Sequence, residues 1–152
     1  MIRARPWDDP DAVRLRAAMA VEMEERYADR LAAFAGDLHV LDVDAAHVVH
    51  VAVAYDGAGT AVGHAALRRN GADLELKRMY IAPEARGTGV SKDLLAHVED
   101  AARALGHRRV ILQTGDRQPD AVRLYEREGY RHIPVFPPYA AITFSICMEK
   151  RL

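Results

Sequence analysis

A single cysteine, Cys147, leaves no partner for an intramolecular disulfide in this 152-residue chain, and a reducing cytoplasm is the expected setting. An excess of positive charge is missing too. The 21 Lys and Arg stand against 22 Asp and Glu, a formal net charge of −1, which excludes a general nucleic-acid-binding surface and leaves room only for local anion sites. No apolar run is long enough to span a bilayer: "AAHVVHVAVAY" is about half the length required and carries two histidines. The start, "MIRARPWDDP", lacks the apolar core of a signal peptide. Seven histidines (His39, His47, His50, His64, His97, His107 and His132) show no H-E-x-x-H or comparable ligand spacing, so no metal is expected. Proline at 7 and glycine at 10 are too few for a disordered or collagen-like chain.

What is present is a chain sized for one domain over residues 1–152, since a domain of this length buries roughly 70% of its unfolded surface. From Asp8 to about Phe34, apolar and charged residues alternate at helical spacing after "DDPD", predicting one long helix or two short ones. "VVHVAVAY" and "AVGHAALR", joined by "DGAG", read as an antiparallel hairpin, and "LELKRMYI" supplies a third strand ending before Pro83. Strict alternation along that strand places Glu75, Lys77 and Met79 on one face and Leu74, Leu76, Arg78 and Tyr80 on the other. An amphipathic helix follows from Val90 to the stop at Gly106. "RRVILQTG" is then a strand, "QPDAVRLYEREG" a second amphipathic helix, and "YRHIPVF" and "FSICMEK" two last strands around the Pro-rich "PPYAAI". The order is helix, β, β, β, helix, β, helix, β, β. It implies an α/β (α+β) fold with a mixed, mostly antiparallel central sheet and one parallel β-α-β crossover.

"RGTGVS", residues 86–91, lies between the third strand and the next helix, at the carboxyl end of a central strand, where open α/β sheets bind ligands. Helix N-termini present unpaired N–H groups and partial positive charge, and glycines let a turn aim such groups at one anion. The stretch is not a Walker loop, which needs G-x-x-x-x-G-K-[ST]. It is not a dinucleotide fingerprint either, because Lys92 stands where the third glycine belongs.

"MYIAPEARGTGVSKDLLAHVEDAARALG", followed by "VILQTG" and "PDAVRLYEREGYR", strongly resembles the GNAT superfamily of acyl-CoA-dependent N-acyltransferases over residues 74–131. Arg86, Gly89 and Ser91 fall on the named positions of its Q/R-x-x-G-x-G/A signature, with Ser91 in place of the usual Gly or Ala. The resemblance implies acetyl-CoA as co-substrate. Its pyrophosphate would lie in the turn of Arg86, Gly87, Thr88, Gly89, Val90 and Ser91, and its pantetheine arm on the backbone of Met79, Tyr80 and Ile81, which belong to the family's fourth strand. Gln118 stands where many members have an asparagine that contacts the cofactor, and the Ser91 hydroxyl can either reach a phosphate or cap the helix.

The reaction implied is transfer of acetyl to a primary amine of a small or amino-acid-like acceptor, by direct attack in a ternary complex. A lysine-like amine is neutral in only about one molecule in 2,500 at pH 7, so a base is useful, and the departing thiolate needs a proton. Tyr125 matches the family tyrosine near the CoA sulfur; its alternative is a buried helix aromatic. Glu75 lies where the family often carries its base; its alternative is a charge-paired strand residue. For the acceptor, Arg78 is a partner for a substrate carboxylate or for a protein acid. His132 is a groove or a surface residue, and Phe136 and Tyr139 either shape the groove or belong to a plain proline-ordered turn. Cys147 reads as a core thiol, not an acyl carrier. A protein or peptide N-acetyltransferase and a noncatalytic acyl-CoA-binding module remain alternatives. Oligomeric state stays open, dimers being frequent in such families.

Overall fold

The computed structural model describes all 152 residues. Its strands are β1 (Ile2–Ala4), β2 (Val48–Tyr55), β3 (Ala61–Asn70), β4 (Asp73–Ile81), β5 (Arg109–Gly115), β6 (Arg131–Ile133) and β7 (Ser145–Arg151); its α-helices are α1 (Pro10–Leu31), α2 (Val90–Ala104) and α3 (Pro119–Arg127). The N-terminal region is thus one helix. Its start is fixed by Asp9, whose carboxylate accepts hydrogen bonds from the backbone of Asp11 at 3.0 Å and Ala12 at 3.3 Å. The β2–β3 turn is held likewise: the Asp56 carboxylate accepts from the amides of Ala58 and Thr60, each at 2.9 Å.

The strands form one sheet in the order β1-β2-β3-β4-β5-β7-β6. Every pairing is antiparallel except β4 with β5, which α2 connects as the expected crossover. The α2 side is covered by the larger core, in which Leu94, Leu95 and Val98 of α2 and Leu124 and Tyr125 of α3 meet Leu67, Leu74, Leu76, Leu112 and Met148 of the sheet. Ala12 and Leu15 of α1 pack with Val51, Val53, Ala66 and Tyr80 in a second core. No helix is long and apolar enough to cross a membrane.

Two elements differ from expectation. Strand β1 was not foreseen: three residues carry no period, and they are a strand only because β2 offers them a free edge, pairing Ile2 with Ala54. Its presence makes the "LELKRMYI" strand the fourth of the sheet. Strand β6 stops at Ile133 instead of continuing through "PVF", since Pro134 has no N–H to give a ladder.

Candidate active site

The parallel pairing of β4 with β5 is short. It joins Leu74 to Val110, Glu75 to Ile111 and Leu76 to Leu112, although β4 runs on to Ile81 and β5 to Gly115. Past Leu76 the two strands have no ladder between them, and on that side the backbone of Met79 to Ile81 pairs with no strand, the Ile81 carbonyl being held by the Arg86 side chain.

A bulge sits where the strands part. Ala66 pairs with Lys77 and His64 with Tyr80, so Arg78 and Met79 oppose the single residue Ala65. Arg78 takes the left-handed conformation, φ 55°, and is the one non-glycine residue with positive φ. The extra residue inverts the alternation read from the sequence. Met79 packs against the same core as Leu74 and Leu76, and Tyr80 joins the core on the other side. Strict alternation put Met79 with Glu75 and Lys77; the bulge is the physical reason it is not there.

His64 holds this bulge and was missed as a functional candidate. It is fully buried, donates from Nδ1 to the Arg78 carbonyl at 2.9 Å, and accepts at Nε2 from the Arg16 guanidinium at 3.1 Å. Arg16 in turn lies 3.5 Å from the Trp7 ring centroid and donates to the Trp7 carbonyl at 2.6 Å. Burial, aided by Arg16 and Arg78, lowers the His64 pKa from 6.5 to about 4. The unfolded chain therefore takes up this proton first as pH falls. The stabilisation from neutral His64 is complete above about pH 6.5 and is lost progressively down to pH 4, a change of roughly 3 kcal/mol. Urea denaturation at pH 7, 5 and 4 should show that slope in the native protein and a shallower one in His64→Gln.

At the end of β4, Arg86 donates from Nε to the Ile81 carbonyl at 3.0 Å and pairs with Glu22 of α1 at 2.8 Å. The Thr88 hydroxyl donates to the Ala85 carbonyl at 2.5 Å. Gly87 and Gly89 hold φ of 77° and 87°, values that favour glycine, and they turn the chain into α2. In contrast to α1, no side chain caps α2; Ser91 does not use its hydroxyl that way. The first amides of α2 are thus left for an outside acceptor. Gln118 is the residue before α3 and makes no side-chain capping bond.

Tyr125, on α3, is 5% exposed and packs at 5.6 Å from the Tyr130 ring. Burial alone raises its pKa, since its hydroxyl has no hydrogen-bond partner in the protein. That hydroxyl is not sealed off, because the one enclosed orphan atom is His50 Nε2.

Glu75 lies on the opposite face of β4 from Leu74 and Leu76 and is fully buried. Its Oε1 accepts from Arg68 Nε at 3.0 Å and from Asn70 Nδ2 at 3.2 Å; its Oε2 accepts from the Tyr139 hydroxyl at 2.6 Å and lies 3.8 Å from Lys77 Nζ. Arg68 and Lys77 each also donate to the Tyr139 oxygen at 2.8 Å. Tyr139 is not a surface residue of the loop: it is 0% exposed and inserts its hydroxyl among these charges. Burial, and then the Glu75 charge, raise its pKa, while burial lowers that of Lys77 to about 8. The carboxylate of Glu75 thus accepts three hydrogen bonds within a buried charged network. Phe136 packs edge-on against Tyr139 at 5.5 Å. His132 is not brought here; it is on the edge strand β6, the third strand from β4, and pairs with Glu126 at 2.8 Å.

A parted pair of central strands, a bulge, and an uncapped helix behind a two-glycine turn lie together at the end of β4 and form the candidate site. Comparison with known proteins narrows the class. The acetyltransferase (GNAT) family profile matches residues 7–130. The IAA acetyltransferase of Azospirillum brasilense is 38% identical over 96 residues, 62% of this chain and 63% of that protein. The chain therefore spans less than two thirds of the length of this relative. A Klebsiella pneumoniae structure assigned as an acyl-CoA N-acyltransferase is 30% identical, with a TM-score of 0.79 over 100% of this chain and 97% of that one. The PaiA N-acetyltransferase of Thermoplasma acidophilum, solved with coenzyme A, shares the fold at 16% identity, with a TM-score of 0.71 over 100% and 99% of the two chains. The chain belongs to the GNAT acetyltransferase family.

Proposed function

We propose that this protein is an acetyl-CoA-dependent N-acetyltransferase that acetylates a primary amine of a small molecule by direct attack in a ternary complex. The observation that carries the reading is the gap between β4 and β5 beyond Leu76 and Leu112, which opens beside the turn at Gly87 and Gly89. An extended pantetheine arm fits as an added strand along the backbone of Met79 to Ile81, which pairs with no strand on that side. The pyrophosphate then meets the uncapped α2 amides and the Arg86–Ser91 turn, and Gln118 faces the cofactor from the start of α3. The thioester lies along the gap, with Tyr125 donating to the leaving sulfur.

The amine approaches from the face carrying Arg78. Glu75 serves that side by fixing Arg68, Lys77 and Tyr139, and a water chain takes the amine proton, because both Glu75 oxygens already accept hydrogen bonds. Phe136 shapes the same side through its contact with Tyr139.

The test is a thiol-release screen of acetyl-CoA against amino acids, polyamines, aminoglycosides and short peptides. A small amine should release thiol and form its N-acetyl derivative. Binding of acetyl-CoA with no release from any acceptor would support the noncatalytic module, and release from peptides alone the protein acetyltransferase. The turn is tested separately. Space around Gly89 is open but its φ is 87°, so Gly89→Val is strained by about 1–2 kcal/mol and moves the amides behind it. Calorimetry should show acetyl-CoA affinity lowered by about tenfold or more, and unchanged affinity would remove the turn as the pyrophosphate site.

A further inference from the structure

Cations outnumber acids on the acceptor face. Arg16, Arg68, Lys77 and Arg78 gather there, and the buried acid among them is Glu75, which Arg68 and Lys77 already neutralise. Arg78 and Arg16 form no salt bridge. Arg78 makes one hydrogen bond, Nη2 to the Leu41 carbonyl at 2.9 Å, and Arg16 is held by Trp7 and His64, neither charged. The other acid acting on Arg78 is Asp42, whose side chain is exposed and whose backbone carbonyl accepts from Arg68 at 3.2 Å.

An arginine taken partly out of water without a carboxylate is costly, and proteins seldom leave one so. Burial accordingly lowers the pKa of both arginines, the charge of Arg78 adding to the effect on Arg16 and the charge of Arg68 to that on Arg78. The Nε and Nη1 groups of Arg78 have no protein partner, yet they are not enclosed, since the sole enclosed orphan atom is His50 Nε2. Arg78 itself stands at the bulge, directly before the backbone of Met79 to Ile81. A guanidinium held through Nη2 still has charged donors at Nε and Nη1, either of which can give a charge-assisted hydrogen bond to a carboxylate oxygen.

We infer that the acceptor is an amine that also carries a carboxylate, and that this carboxylate docks on the open donors of Arg78, with Arg16 adding to the attraction. The inference rests on the N-acetyltransferase reading, whose acceptor it names by class. Arg78 is placed twice over, by the bond from its side chain to Leu41 and by the bond from His64 to its carbonyl. The bulge is what turns its side chain to the acceptor face, while Met79 and Ile81 pack toward α2.

The experiment compares each L-amino acid with its own carboxamide as acceptor at saturating acetyl-CoA, in the native protein, Arg78→Gln and Arg78→Lys. The acids should be preferred by about 10- to 100-fold in kcat/KM, as a charge-assisted hydrogen bond would give, chiefly through KM. Arg78→Gln should erase the difference between acid and amide, and Arg78→Lys should restore part of it. Amides acetylated as well as the acids would overturn the inference. So would an Arg78→Gln that slows acid and amide alike, the mark of a structural role at the bulge. Should no pair be acetylated, the same compounds titrated into the CoA-loaded protein decide: binding of acids over amides sustains the site, and equal or absent binding overturns it. Failure of the acyltransferase reading looks different, as acetyl-CoA itself would not bind or would release no thiol in the wider screen.

Discussion

Glu75→Ala should destabilise the protein by about 3–5 kcal/mol, the range for removing one partner from a buried charged pair. Glu75 is 0% exposed and is the buried acid for Arg68, which is 8% exposed, and Lys77, which is 5% exposed. Without it the Arg68 guanidinium and the Lys77 ammonium stay in the interior and the Tyr139 hydroxyl loses its acceptor at 2.6 Å. Tyr139 in turn anchors the loop between β6 and β7, and Asn70, which donates to Glu75, also donates to the Pro137 carbonyl at 3.0 Å. The loss therefore frees the loop as well as burying charge. Urea denaturation at neutral pH measures the effect. Glu75→Gln separates structure from catalysis: a residue that only pairs charge loses stability and loop order together, whereas a base loses kcat and the acidic limb of the pH–rate profile while the stability change stays small. The three hydrogen bonds that the buried Glu75 carboxylate accepts favour the first outcome.

The parts of this site that were legible in the sequence are those made by local signals. Helical period, the stop at Gly106 and the turn at Asp56–Gly57 placed every strand and α-helix from β2 to α3, and the two glycines at 87 and 89 marked the turn into α2. What was not legible depends on pairing between distant segments. The bulge exists because Ala65 of β3 faces two residues of β4, and nothing within "LELKRMYI" announces an extra residue. His64 offered no ligand spacing and was set aside with the other histidines, yet its partners are the Arg78 carbonyl, 14 residues on, and Arg16, 48 residues back. Tyr139 lies 64 residues from Glu75, in a stretch whose prolines read as a turn. A buried polar network is assembled by tertiary contact and leaves no period to detect.

Tyr125→Phe should lower kcat by about 100-fold or more while leaving both acetyl-CoA affinity and fold stability nearly unchanged, because general-acid groups contribute roughly 10²–10⁴-fold. The native geometry makes this substitution unusually clean. The hydroxyl has no partner in the protein, so its removal breaks no hydrogen bond, and the ring that packs against Tyr130 at 5.6 Å is kept. Burial raises the Tyr125 pKa, so the group holds its proton throughout the neutral range and is a weak acid toward an ordinary thiolate, whose pKa near 8.5 lies lower. Transfer becomes favourable only as the departing sulfur is desolvated in the same site, which raises the thiol pKa by the same physics. With Tyr125 as the acid, the proton would move late, as the carbon–sulfur bond breaks, and the tyrosinate left behind would recover it from water. Rate and affinity should separate accordingly: single-turnover thiol release slows in Tyr125→Phe, calorimetric binding of acetyl-CoA does not change, and a thioester with a less basic leaving thiol recovers part of the lost rate. Equal slowing with both thioesters would assign Tyr125 to packing and return the proton to a water.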